Sequence, residues 1–111
     1  MADVILLYAE ALNETGSSAS TVLALLDPIR TRAGLTSLVG TVSSQADVKQ
    51  AIADERRLEM AFEGQRWFDL VRTGTVNAEM GQSVDSNYHV FPIPVSEVLA
   101  TGGVITQNDG Y

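Results

Sequence analysis

The first fifteen residues hold more apolar positions than one helical stripe can use. Ile5, Tyr8, Ala9 and Leu12 recur at i, i+3, i+4 and i+7, and Val4, Leu7 and Ala11 form a second row beside them. Asp3, Glu10, Asn13 and Glu14 supply the polar edge. This spacing predicts a helix over residues 2–15 that needs cover on two faces, ended by Gly16 and the serines after it. Val22, Leu25, Leu26, Ile29 and Ala33 predict a second helix over 20–33. Pro28 lies inside it, removing a backbone donor and crowding the carbonyl of Ala24, so a kink or break is expected there. Arg30 and Arg32 occupy the last turn, where the helix dipole favours cations, and Gly34 marks the stop.

After a loop over 36–43, the clearest helix is predicted over 44–62. Ser44 suits the N-cap, and Asp47 places negative charge in the first turn. Gly64 breaks that helix, and a short fourth is expected over 65–72, ending at Thr73-Gly74. Residues 75–86 read as loop. Pro92 and Pro94 disfavour helix in the residues before them, so 88–94 reads as extended. One helical turn is expected over 96–100 and an irregular end over 102–111. The fold class implied is mostly α, with little strand. A helix pair over 1–35 has the small-and-large spacing of a tetratricopeptide unit, a second pair covers 44–74, and a tail covers 75–111. The first pair has no second copy in the chain. A solenoid needs roughly three stacked repeats, so the pair is expected to pack against helices outside these 111 residues.

Composition narrows the chemistry. The chain has 111 residues, enough for one modest core, and is 45% apolar, which marks it as globular. Fourteen acidic against seven basic residues give a formal charge of −7. Such a surface repels phosphate backbones, so no nucleic acid partner is expected. The absence of cysteine removes disulfides and thiolate chemistry while leaving the compartment open. A single histidine, His89, excludes a multi-histidine metal site. No Gly-rich phosphate loop, HExxH or GxSxG pattern occurs, and no cofactor or metal is expected. The apolar run over 4–9 is too short to span a bilayer, and with Asp3 before it and no basic region it is not a signal peptide.

One feature of the third helix invites a chemical reading. Val48, Ile52, Glu55, Glu59 and Phe62 share one row, so two carboxylates stand where apolar residues belong. A general acid/base pair, as in glycoside hydrolysis, is the functional interpretation. Two glutamates one turn apart on one helix do not flank a substrate from opposite sides, however. Buried carboxylates paired with arginines are therefore favoured, because an unpaired buried charge is too costly. Arg56, Arg57, Arg66 and Arg72 are near in sequence. The expected structural block is Glu55, Glu59, Arg66, Trp67, Asp69 and Arg72, with Arg66 turned back toward the glutamates and Trp67 covering the pairs. Trp67 and Phe68 could also stack on a sugar ring, although core packing is the commoner fate of such residues. His89, between Tyr88 and Val90, reads as a surface or hydrogen-bonded histidine rather than a ligand.

Several segments, in order, resemble the C-terminal part of the SusD/RagB family. They are Ala2-Asp3-Val4 running into Leu7-Tyr8-Ala9-Glu10-Ala11-Leu12-Asn13, then Ile29-Arg30-Thr31-Arg32-Ala33-Gly34-Leu35. The most specific block is Glu55-Arg56-Arg57-Leu58-Glu59-Met60-Ala61-Phe62-Glu63-Gly64-Gln65-Arg66-Trp67-Phe68-Asp69-Leu70. Phe91-Pro92-Ile93-Pro94 with Glu97, and Thr106-Gln107-Asn108 before a final Gly-Tyr, complete the series. Asp27-Pro28 and Asp109 depart from the family pattern, and neither touches the long block. The resemblance implies a C-terminal portion of a larger SusD-like α fold, with the N-terminal part of the parent, its lipid anchor included, lying outside this chain. It further implies a nutrient-binding lipoprotein, not an enzyme, on the extracellular face of the outer membrane. Such a protein captures an oligosaccharide or other nutrient and caps a SusC-like TonB-dependent transporter. No ligand-binding residue is carried over. A tetratricopeptide-like interaction scaffold and a small hydrolase using Glu55 and Glu59 are the competing functions.

Overall fold

Ser18 and Ser44 open two helices in the same way. Each stands in extended backbone and accepts a hydrogen bond on its side-chain oxygen, from the Thr21 and Asp47 N–H groups at 3.3 and 3.1 Å. These are α2 (Ala19–Arg32) and α3 (Gln45–Glu59), which follow α1 (Ala2–Glu14). The computed structural model describes residues 1–111, and every regular element is helical. By contact density the chain divides into two compact units, Met1–Arg66 and Trp67–Tyr111.

In the first unit α1, α2 and α3 pack on one another in all three pairings. Their shared core is Leu6, Ala9, Val22, Leu23, Leu26, Ile29, Val48 and Ile52, all buried. Each fully buried leucine or isoleucine there contributes about 1.5–3 kcal/mol. The loops after α1 and α2 are fixed by paired backbone bonds. Ser17 N–H reaches the Leu12 carbonyl and Gly16 N–H that of Asn13; Leu35 and Gly34 repeat the pattern on Arg30 and Thr31. This C-terminal motif needs a left-handed residue, and Gly16 and Gly34 supply it at φ +83° and +75°.

The buried row of α1 is Leu6, Ala9 and Asn13, with Ile5 and Leu12 partly buried beside it. Tyr8, expected among the core positions, is exposed, as are Val4, Leu7 and Ala11. A nearly continuous apolar run fixes the helical period but leaves its phase open, and contact with α2 and α3 selects the phase. Asn13, expected on the polar edge, is buried because it has a reciprocal partner. Its Nδ2 donates to the Gln45 carbonyl at 3.1 Å, and Gln45 Nε2 donates to the Asn13 carbonyl at 2.7 Å. That exchange ties the end of α1 to the start of α3 and satisfies groups that would otherwise be costly to bury.

Two expectations about helix extent are corrected. α2 continues through Pro28 to Arg32 without a break. α3 ends at Glu59, three residues short of the expected 62, and Phe62 takes a left-handed φ of +67°. Phe62 therefore leaves the apolar row of α3 and stands fully in solvent.

The second unit begins within α4 (Arg66–Thr73), which Gly74 ends at φ +69° with Thr75 N–H on the Leu70 carbonyl. Three short elements follow in the tail that was expected to hold a single turn. They are α5 (Val76–Met80), a 3-10 turn (Ser86–His89) and α6 (Val95–Ala100). Asp85 caps the 3-10 turn by accepting from the Asn87 N–H at 2.9 Å, which draws Tyr88 and His89 out of the extended segment expected there. Leu70 and Val76 are the buried apolar residues of this unit.

Candidate functional site

The two glutamates of α3 face the last turn of α2. Arg30 Nη1 donates to Glu55 Oε2 at 2.7 Å, and its Nε donates to the Thr36 carbonyl at 2.7 Å, so one guanidinium closes both the helix pair and the loop after α2. Glu55 is 5% exposed and the Arg30 side chain 15%. Arg32 Nη2 pairs with Glu59 Oε1 one turn further along, where the arginine is mostly exposed. On the other side of α3, buried Arg56 donates through Nη1 to Asp3 Oδ1 at 2.8 Å, reaching α1. Lys49 and Glu14 add an exposed pair at 2.7 Å.

Charged groups thus link all three helices of the first unit. The sequence points to Arg66 as the partner of the glutamates; the structure supplies Arg30 and Arg32, 25 and 27 residues before them. The signal for this in the sequence is that Arg30 and Arg32 both occupy the last turn of α2, two positions apart. It becomes usable only once α2 and α3 are known to pack. The arrangement is poor for hydrolysis. Glu55 already accepts a charge-assisted hydrogen bond and is withdrawn from solvent, whereas a general acid must reach a substrate oxygen.

Of the remaining block residues, Arg66 is half-buried at the start of α4. Asp69 Oδ1 accepts from Arg72 Nε at 2.9 Å within α4. Trp67 is half-buried, and its ring meets that of His89 edge-on at 6.3 Å. Phe68 is exposed and lies 6.1 Å from the exposed ring of Phe91, at 59°. Tyr88 and Tyr111 make an edge-on pair at 5.6 Å. Neither phenylalanine pairing nor tyrosine pairing is visible in sequence, because each spans more than twenty residues. No group of three or more His, Cys, Asp or Glu side chains could hold a metal ion. No helix is long and apolar enough to cross a membrane.

Comparison with known proteins agrees along the whole chain. The SusD family pattern matches residues 1–111. The chain is 30% identical over 124 residues to the SusD-like protein P2 of Formosa agariphila, covering 99% of this chain and 25% of that protein. It is 35% identical over 122 residues to the starch-binding protein SusD of Bacteroides thetaiotaomicron, covering 100% of this chain and 20% of that protein. Among solved structures, a laminarin-binding SusD-like protein superposes with a TM-score of 0.71 at 42% identity, over 99% of this chain and 22% of that one. The chain therefore spans a fifth to a quarter of the length of these relatives.

Proposed function

The chain belongs to the SusD family, and from that premise we propose that the protein carrying it binds an extracellular oligosaccharide or related nutrient without cleaving it. The observation that carries this is the match over all 111 residues, together with the names of the relatives, which are those of starch-binding and laminarin-binding proteins. The protein stands on the extracellular face of the outer membrane, held by a lipid anchor outside these residues. It passes its ligand to a SusC-like TonB-dependent transporter. Within it, the present segment acts as helical scaffold. Its buried glutamates are tied to arginines, which suits holding helices together better than chemistry. On intact cells making the protein, fluorescent starch or laminarin oligosaccharides should be retained at the surface, and the transporter should copurify with the protein. Retention lost on shaving the cells with protease supports the location; ligand held only after lysis contradicts it.

A second function is favoured by one observation, the exposed apolar face of α1 formed by Val4, Leu7 and Tyr8. A tetratricopeptide-like scaffold with no ligand of its own would use such a face to dock a protein. Normal transporter copurification by a protein that binds no oligosaccharide would select it.

A further inference from the structure

The segment Val90-Phe91-Pro92-Ile93-Pro94 cannot join a sheet along its length, because Pro92 and Pro94 have no N–H to give. Ile93 is left as the lone backbone donor between them. The groups of this strap are met by side chains from the end of the chain. Gln107 Oε1 accepts from the Ile93 N–H at 2.7 Å, while Gln107 Nε2 donates to the Ile93 carbonyl at 2.8 Å. Asn108 Nδ2 donates to the Phe91 carbonyl at 2.7 Å, and the Tyr111 hydroxyl donates to the Val90 carbonyl at 2.9 Å. The Asn108 N–H also donates to Gln107 Oε1 at 3.0 Å, which fixes which end of that amide is the acceptor.

We propose that residues 107–111 form a clasp that replaces a neighbouring strand, reading the backbone of residues 90–93 with side chains and thereby seating Phe91 beside Phe68. A side-chain amide suits the task because it presents a donor and an acceptor side by side, and here it meets both the N–H and the carbonyl of Ile93. The turn after the amide is equally constrained. Gly110 has φ +92°, and a Cβ there would fall 2.9 Å from Asn87 Cβ, so glycine alone lets Tyr111 swing back to Tyr88. The clasp is a property of residues 90–111 and stands whatever ligand the protein binds.

The test uses the protein carrying these 111 residues and amide exchange followed by NMR. Gln107→Ala should speed exchange of the Ile93 amide roughly tenfold, the net worth of about one hydrogen bond. It should also weaken the near-ultraviolet signal of the tyrosine pair and leave the helical signal intact. Gln107→Glu keeps the acceptor and puts an oxygen where the donor stood, so it should act in the same direction. Gly110→Ala should remove the Tyr88–Tyr111 signal. Unchanged Ile93 exchange in both Gln107 variants would overturn the clasp. So would loss of the whole helical signal in either, since these residues would then belong to the general core rather than to a local device.

Discussion

Arg30 and Glu55 show how little of a salt bridge's weight comes from its presence and how much from its burial. Both are withdrawn from water, so removing either leaves the other charged with poor solvation. Glu55→Ala or Arg30→Ala should lower stability by about 3–5 kcal/mol, measured by urea unfolding. Arg32→Ala breaks the neighbouring pair at an exposed guanidinium and should change stability by about 0–1 kcal/mol. Equal losses at the two pairs would contradict the ranking. Phe62 offers an independent check at the same scale. Its left-handed backbone is unfavourable for a side chain by roughly 1–2 kcal/mol, and its ring stands in solvent. Phe62→Gly should therefore leave stability unchanged or raise it; a loss above about 1 kcal/mol would show that the ring packs against something. Sequence revealed that Glu55 and Glu59 needed arginines but named Arg66, because proximity along the chain was the available guide. The partners come from another helix, and that information resides in packing.

At the scale of elements, helix existence was legible and helix phase was not. Ser44, Gly16 and Gly34 carry local signals that act through nearby backbone, and each sits where its chemistry required. The short α5 and the 3-10 turn were missed because five- and four-residue elements show no period; they depend on local bonds such as Asp85 to Asn87. Pro28 is the informative exception. Its ring is exposed and α2 passes through it, so the lost backbone bond is tolerated rather than used to end the helix. Pro28→Ala should restore that bond and raise stability, by up to about 3 kcal/mol. A thermal melt on the variant decides this; a lower midpoint would mean that the proline sets a bend the core requires.

For the whole molecule, the tension is between a well-packed three-helix core and the apolar surface it leaves in water. Val4, Leu7 and Tyr8 on α1 remain exposed although α1 packs on both α2 and α3. The scaffold role proposed for this chain treats that face as an interior surface, and the relatives it matches are four to five times its length. The two apolar rows of the first helix already predict two covered faces, and the second row is the one that stands exposed. The central claim is binding without cleavage, and the most direct measurement is titration calorimetry of the protein carrying this chain against starch and laminarin oligosaccharides, with reducing ends assayed in the same mixtures. The account predicts saturable heat with at least one of them and no new reducing ends. Release of reducing ends that disappears on Glu55→Gln would contradict it.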